Sequence, residues 1–139
     1  MIKVRRSGKY AINFYFKATD KIDIEKMING FKLALTSEVT AKCLVIKVER
    51  RMFARNRKSD YERMNLFAKL GTGNIVIYNN KFILELDKND LEYGIDLLEE
   101  YIKLGYLKVA EFAKVSKPGC KWSDDIYFIE DLEQENRVR

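Results

Sequence analysis

The spacing of apolar residues changes early in the chain from every second position to every third or fourth. Residues 10–17 alternate, which is typical of a strand with one buried face, and the apolar set is Tyr10, Ile12, Phe14 and Phe16. The next apolar residues follow helical spacing and predict an amphipathic helix: Ile24, Met27, Ile28, Phe31 and Leu35. A half-buried strand leading into an amphipathic helix predicts an α+β domain with helices on one face of a sheet.

Two further elements are predicted in the middle of the chain. Apolar residues alternate again over 43–53, which predicts a second strand. The following segment, 59–70, is predicted as a short helix, because Ser59 and Glu62 form a capping-box pattern. Gly71 suits the end of that helix.

A hairpin and a second long helix come next. Strands are predicted at 74–78 and 81–86, joined by a tight turn at Asn79-Asn80, because asparagine tolerates the positive φ that such a turn requires. Asp87 is the expected helix cap, and the helix should bury Leu91, Ile95, Leu98 and Ile102 and end at Gly105. Further strands are predicted at 106–115 and 126–129.

These elements predict one two-layer sandwich, with a mainly antiparallel sheet and the order β-α-β-(α)-β-β-α-β. Residues 1–116 would form the domain, and 117–139 a C-terminal appendage, with an acidic tail, packing on it. The order resembles the ferredoxin-like sandwich of RNA-recognition-motif domains, in which 81–98 looks like the third strand and second helix. A β-α-β-α-β-β layout over 10–86 resembles Alba-like chromatin proteins. Both are resemblances of layout, and no family is assigned on them.

Charge is distributed unevenly along the chain. Residues 1–84 carry 18 Lys and Arg against 7 Asp and Glu, a balance of +11, whereas 85–139 carry 8 against 14, a balance of −6. A basic pole is typical of proteins that bind phosphate-bearing partners. The chain has no histidine, which excludes Ser-His-Asp triads and histidine-ligated zinc sites. These features favour binding over catalysis.

The densest group of cations lies between residues 49 and 63. Most are arginines, whose planar guanidinium binds phosphate through two hydrogen bonds: Arg50, Arg51, Arg55, Arg57, Lys58 and Arg63. Because the segment leads into the predicted helix start at Ser59, its free backbone N–H groups would add to the phosphate contacts. The alternative is an exposed connection whose arginines keep the protein soluble or pair with the acidic half of the chain.

Two other groups are expected to assist this loop. The first is an N-terminal arm or solvated tail containing Lys3, Arg5, Arg6 and Lys9. The second is the sheet face away from the helices, where Tyr15 would stack on a base and Lys17 and Lys47 would contact phosphates. Alternatively, the appendage or a second copy of the chain covers this face, so a homodimer or larger complex is expected.

The sequence therefore predicts a non-catalytic nucleic-acid-binding protein, with RNA and DNA both open and no cofactor or metal. The alternative is a regulatory or inhibitory protein-interaction module without nucleic-acid contact. A third possibility is a Mg²⁺-dependent nuclease using Glu85 and Asp87. A cytoplasmic protein is expected, because the two cysteines form no close pair and no apolar stretch approaches the about 18 residues of a membrane span.

Overall fold

Eight strands and two long helices make up the described part of the computed structural model, which covers residues 1–54, 60–107, 110–116 and 123–131. The elements are β1 (Lys3–Ser7), β2 (Ala11–Phe16), α1 (Lys21–Ser37), β3 (Ala41–Glu49), β4 (Tyr61–Leu70), β5 (Asn74–Tyr78), β6 (Lys81–Leu86), α2 (Lys88–Leu104), β7 (Ala110–Ser116) and β8 (Ser123–Glu130). Neither long helix is long and apolar enough to cross a membrane.

All eight strands belong to one mixed sheet with the order β5-β6-β4-β3-β1-β2-β8-β7. The pairs β1–β2, β3–β4, β5–β6 and β7–β8 are antiparallel, whereas β1–β3, β4–β6 and β2–β8 are parallel. The α+β class is therefore confirmed. The ferredoxin-like order is not, because the sheet is mixed and larger than that layout. The segment after residue 116 contributes β8, which lies between β2 and β7 inside the sheet.

The topology repeats once along the chain. The order β1-β2-α1-β3-β4 is followed by β5-β6-α2-β7-β8. Both helices have 17 residues, and β2 and its counterpart β6 have 6 each. The two halves meet through equivalent parallel pairs, β2 with β8 and β6 with β4. The four strands of the first half therefore lie at the centre of the sheet, with strands of the second half on both sides.

The sheet curls strongly around its buried face. The rings of Phe14 on β2 and Phe82 on β6 have centroids 6.0 Å apart, although three strands separate β2 from β6. In a flat sheet the same strands would be roughly 19 Å apart. The two edge strands also approach each other, because a Cβ at Gly73 would lie 3.2 Å from the carbonyl oxygen of Lys114. The sheet is thus close to a barrel.

The helices pack against the buried face and against each other. A Cβ at Gly94 of α2 would lie 3.0 Å from the ring of Phe31 on α1 and 3.3 Å from Phe112 on β7, so glycine permits this close approach. Alternate residues of the strands point into this core, among them Phe14, Phe16, Phe82 and Phe128. We call the opposite side of the sheet the outer face. Its side chains come from the residues between these buried positions.

Several predicted elements are confirmed. Asn79 and Asn80 turn the β5–β6 hairpin with φ of 48° and 60°. The carboxylate of Asp87 accepts the Asp90 N–H at 2.8 Å at the start of α2, and Gly105 ends that helix with φ of 78°. The strand around 10–17 and the first helix are also present. The second strand is confirmed only as far as Glu49, because Arg50–Met52 form a short 3-10 helix where the strand was expected to continue.

The helix predicted at 59–70 is wrong, because residues 61–70 form β4. Met64, Leu66 and Ala68 alternate along it and are buried, while β3 and β6 satisfy its backbone on both sides. The N-terminal arm is also wrong, because residues 3–7 form β1, an interior strand between β3 and β2. The fully buried Ile2 and Val4 hold it there.

Candidate nucleic-acid interface

Tyr15 lies at the centre of a polar cluster on the outer face. Its hydroxyl oxygen accepts hydrogen bonds from Arg5 Nε at 3.1 Å and from Asn13 Nδ2 at 2.9 Å. The Arg5 guanidinium also lies over the Tyr15 ring, 4.7 Å from its centroid. These contacts raise the pKa of Arg5, first through the hydrogen bond to Tyr15. The ring of Tyr15 is therefore held in one orientation by its neighbours.

Tyr61, the first residue of β4, interacts with Arg5 and belongs to the same cluster. The Lys3 ammonium lies 5.4 Å from the centroid of its ring. Burial raises the pKa of Tyr61, the nearby charge of Glu49 adds to the increase, and Arg5 opposes it. Its phenol therefore stays neutral at physiological pH. The sequence did not place Tyr61 on this face, because a helix was predicted there; reading the alternation Met64, Leu66, Ala68 as a strand would have done so.

A row of cations extends from Tyr15 across the neighbouring strands. Tyr15 pairs in register with Lys3 on β1, Lys3 with Lys47 on β3, and Lys47 with Arg63 on β4. We call the three cations Lys3, Lys47 and Arg63 the basic row. Within the described ranges, Lys3, Lys47 and Arg63 form no ion pair with a carboxylate. Their charges are available to an external anion.

Three other predicted cations are engaged with carboxylates. Arg51 Nη2 donates to both oxygens of Glu49 at 3.1 Å, and Glu49 is only 1% exposed. Arg50 Nε contacts both oxygens of Asp60 at 3.2 and 3.1 Å.

Arg6 is the third engaged cation. It forms two hydrogen bonds to Asp124 of β8, at 2.7 and 3.0 Å. This bidentate pair raises the pKa of Arg6 and ties β1 to β8. Arg6 belongs to the buried side of β1, because Arg5 and Lys3 occupy its outer side. It therefore stands apart from the basic row.

The remaining predicted residues are placed in part. Lys9 is exposed in the turn between β1 and β2, and Lys17 directly follows β2. Arg55, Arg57 and Lys58 lie outside the described residues. The element beyond them is β4, so the proposed contribution of a helix N-terminus has no structural basis.

A second aromatic cluster lies further along the outer face. The Lys81 ammonium lies 5.8 Å from the ring centroid of Phe67 and 5.8 Å from that of Tyr78. Together with Val76 and Ile83, these side chains line an open groove of about 480 Å³. We call it the Phe67–Tyr78 groove. Local sequence signals do not reveal this groove, because they predict a helix over 59–70, which includes Phe67.

The carboxylates proposed for a nuclease have structural roles. Glu85 Oε1 accepts hydrogen bonds from the Thr72 backbone N–H at 3.0 Å and from its hydroxyl at 3.4 Å. Asp87 caps α2. Across the described ranges, no three His, Cys, Asp or Glu residues come together in a way that could hold a metal ion.

No protein-family model matches this chain, and neither a curated protein nor a solved structure matches it. Function is therefore inferred from the chemistry of the outer face.

Proposed function

We propose that this chain binds nucleic acid without catalysing a reaction, by contacting phosphates with the basic row on the outer face. The observation that carries the proposal is the alignment of Lys3, Lys47 and Arg63 on three adjacent strands, with no carboxylate pairing them in the described structure. RNA and DNA both present the required phosphates.

Repulsion within the basic row destabilises the sheet when no ligand is bound. Lys47 and Arg63 are directly opposite on antiparallel strands, where like charges destabilise a sheet. Lys3 adds a third cation beside Lys47, and strand spacing keeps neighbouring positions about 4.8 Å apart. A polyanion relieves this repulsion, because its phosphates place negative charge between the cations and release counterions. A row of like charges across a sheet is thus better explained by a ligand than by stability.

The other predicted cations would contribute less to phosphate binding than the basic row. Arg55, Arg57 and Lys58 belong to the segment between β3 and β4 and would add phosphate contacts. Arg50 and Arg51 are tied to carboxylates, so their contribution to binding would be smaller.

The test is a fluorescence-anisotropy titration with labelled RNA and DNA, single-stranded and duplex, at several salt concentrations, with and without Mg²⁺. We expect salt-dependent binding without cleavage. The combined Lys3→Gln, Lys47→Gln and Arg63→Gln variant should reduce the slope of log K against log salt by roughly 0.7–0.9 per lost contact. The matched control is Lys26→Gln, which removes a charge from an exposed position on α1 and should leave the slope unchanged.

Other outcomes would contradict the proposal. If the combined variant binds as the original protein does, the basic row is not the interface. Cleavage that requires Mg²⁺ would support the nuclease instead. If no nucleic acid binds, the basic half serves a protein partner.

A further inference from the structure

We infer that the outer face binds a single strand of nucleic acid along a track with two stacking positions, Tyr15 at one end and the Phe67–Tyr78 groove at the other. The inference rests on the proposed function and adds to it the form of the nucleic acid and the extent of the site. The basic row joins the two ends.

The groove offers aromatic surface and positive charge together. Tyr78 is 48% exposed and Val76 is 38% exposed, while Phe67 and Ile83 are half-buried beside them. Lys81 lies between the two aromatic rings, and Lys69 also lines the groove. The one carboxylate in the lining, Glu85, already accepts two hydrogen bonds from Thr72. The groove thus suits a ligand with a flat aromatic part and a negative charge.

Strand register connects this groove to the basic row. Arg63 and Asn65 are two residues apart on β4 and therefore share the outer face. Asn65 pairs with Lys81 on β6, which in turn pairs with Tyr78 on β5. The cations form a diagonal line across the outer face. The whole track, from Tyr15 on β2 to Lys81 on β6, spans four strand spacings, roughly 19 Å along the curved surface.

A single strand fits this arrangement better than a duplex. Stacking on a protein ring requires a base whose face is free, and bases in a duplex already stack on each other. Two aromatic positions separated by a line of cations match a chain in which bases and phosphates alternate. A duplex would use the cations alone and leave both aromatic positions empty.

Charge also argues against a second copy of the chain on this track. In a two-fold symmetric dimer the same patch meets itself. The basic row and Lys81 of one copy would then face the cations of the other, with Glu85 already engaged. Repulsion between like charges opposes that contact, whereas a nucleic-acid strand neutralises it.

The test uses oligo-dT and oligo-U strands from about 4 to about 16 nucleotides, with a duplex of the same length for comparison. Tyr78→Ala should weaken binding of the longer strands by about 10-fold and leave the shortest strands unchanged. Tyr15→Ala should weaken both. The matched control is Tyr93→Ala, because Tyr93 is a tyrosine on α2 that is 47% exposed. The duplex should be insensitive to both outer-face substitutions.

The outcomes separate this inference from the proposed function. The track would be overturned, and the phosphate site kept, by two results together. The basic-row variant would lose single-strand and duplex binding alike, and Tyr78→Ala would have no effect beyond that of Tyr93→Ala. Absence of binding to every oligonucleotide would overturn both. If light scattering shows a dimer that Tyr78→Ala dissociates, the groove is a subunit interface and the inference is wrong.

Discussion

Arg5 on β1 holds Tyr15 on β2 by two contacts at once, a hydrogen bond of 3.1 Å to the hydroxyl and a guanidinium 4.7 Å from the ring centroid. The hydrogen bond acts at the edge of the ring and the cation acts on one face. The hydroxyl also accepts from the buried Asn13. Tyr15 is thus pre-oriented, and a base that stacks on it would not have to order it first.

The hydroxyl and the ring of Tyr15 should therefore have separable roles. Tyr15→Phe keeps the ring but leaves the Asn13 amide without its partner, so the free energy of unfolding should fall by about 1–3 kcal/mol in urea titrations. Its affinity for single strands should stay close to that of the original protein. Tyr15→Ala should lower affinity by about 10-fold. Equal loss of affinity in both variants would mean that the ring does not stack.

Arg51 should contribute to stability through Glu49. Arg51→Ala leaves a carboxylate that is 1% exposed without its hydrogen-bonded cation, which should lower the free energy of unfolding by about 1–3 kcal/mol. The double variant Glu49→Gln/Arg51→Ala should recover part of that loss, because the buried charge is then gone. Thermal unfolding of the single and double variants provides the measurement, and a double variant less stable than Arg51→Ala would refute the pairing.

Gly30 should be required for the approach of α1 to β3. A Cβ at this position would collide with the Sγ of Cys43. Gly30→Ala should therefore destabilise the protein by about 1–3 kcal/mol from overpacking, although alanine favours helices. Asn29→Ala on the exposed side of the same helix is the control and should be neutral or slightly stabilising. A Gly30→Ala variant with an unchanged melting temperature would contradict this packing.

Cys43 should make stability fall at alkaline pH. Burial raises the pKa of its thiol from 9.0 to about 12. The unfolded chain then loses its proton first, so stability is complete below about pH 9 and declines by about 1.4 kcal/mol per pH unit as the pH rises towards 12. The measurement is urea unfolding of the original protein and of Cys43→Ala over this pH range. Because the two proteins share all other ionisable groups, the difference between their pH profiles isolates the thiol. Parallel pH profiles for the two proteins would show that the thiol is not buried.

The strands and long helices were predictable where one periodicity dominates. Residues 11–16 alternate between the two faces of a strand without interruption. Along α1 the buried residues from Ile24 to Ala34 follow helical spacing. Local signals also sufficed at Asp87 and Gly105, because a cap and a left-handed end depend only on neighbouring residues.

The errors arose where distant strands decide the outcome. The capping-box pattern around Ser59 favoured a helix, but β3 and β6 offer residues 61–70 partners on both sides. Those partners lie elsewhere in the chain, so local propensity did not reveal them. Residues 3–7 were read as a charged tail, because only Ile2 and Val4 mark the buried side of β1.

The candidate site was predictable only as a list of residue types. Tyr15 and Lys47 were assigned to the helix-free face from alternation alone, whereas Lys3 and Arg63 join them through strand pairings. Arg6 and Arg51 resemble their neighbours in sequence but are paired with carboxylates. That distinction depends on Asp124 and Glu49, whose positions follow from the whole sheet.

The place of β8 inside the sheet has a consequence for synthesis on the ribosome. Its pairing of Asp125 with Ala11 joins residues from opposite ends of the chain, and contacts of such long sequence separation slow folding. Until β8 emerges, β2 has an open edge, and the Phe14 and Phe16 side chains lack the Phe128 ring that packs against both. The nascent chain therefore carries an unpaired, apolar strand edge for most of its translation, and we expect chaperones to determine its yield.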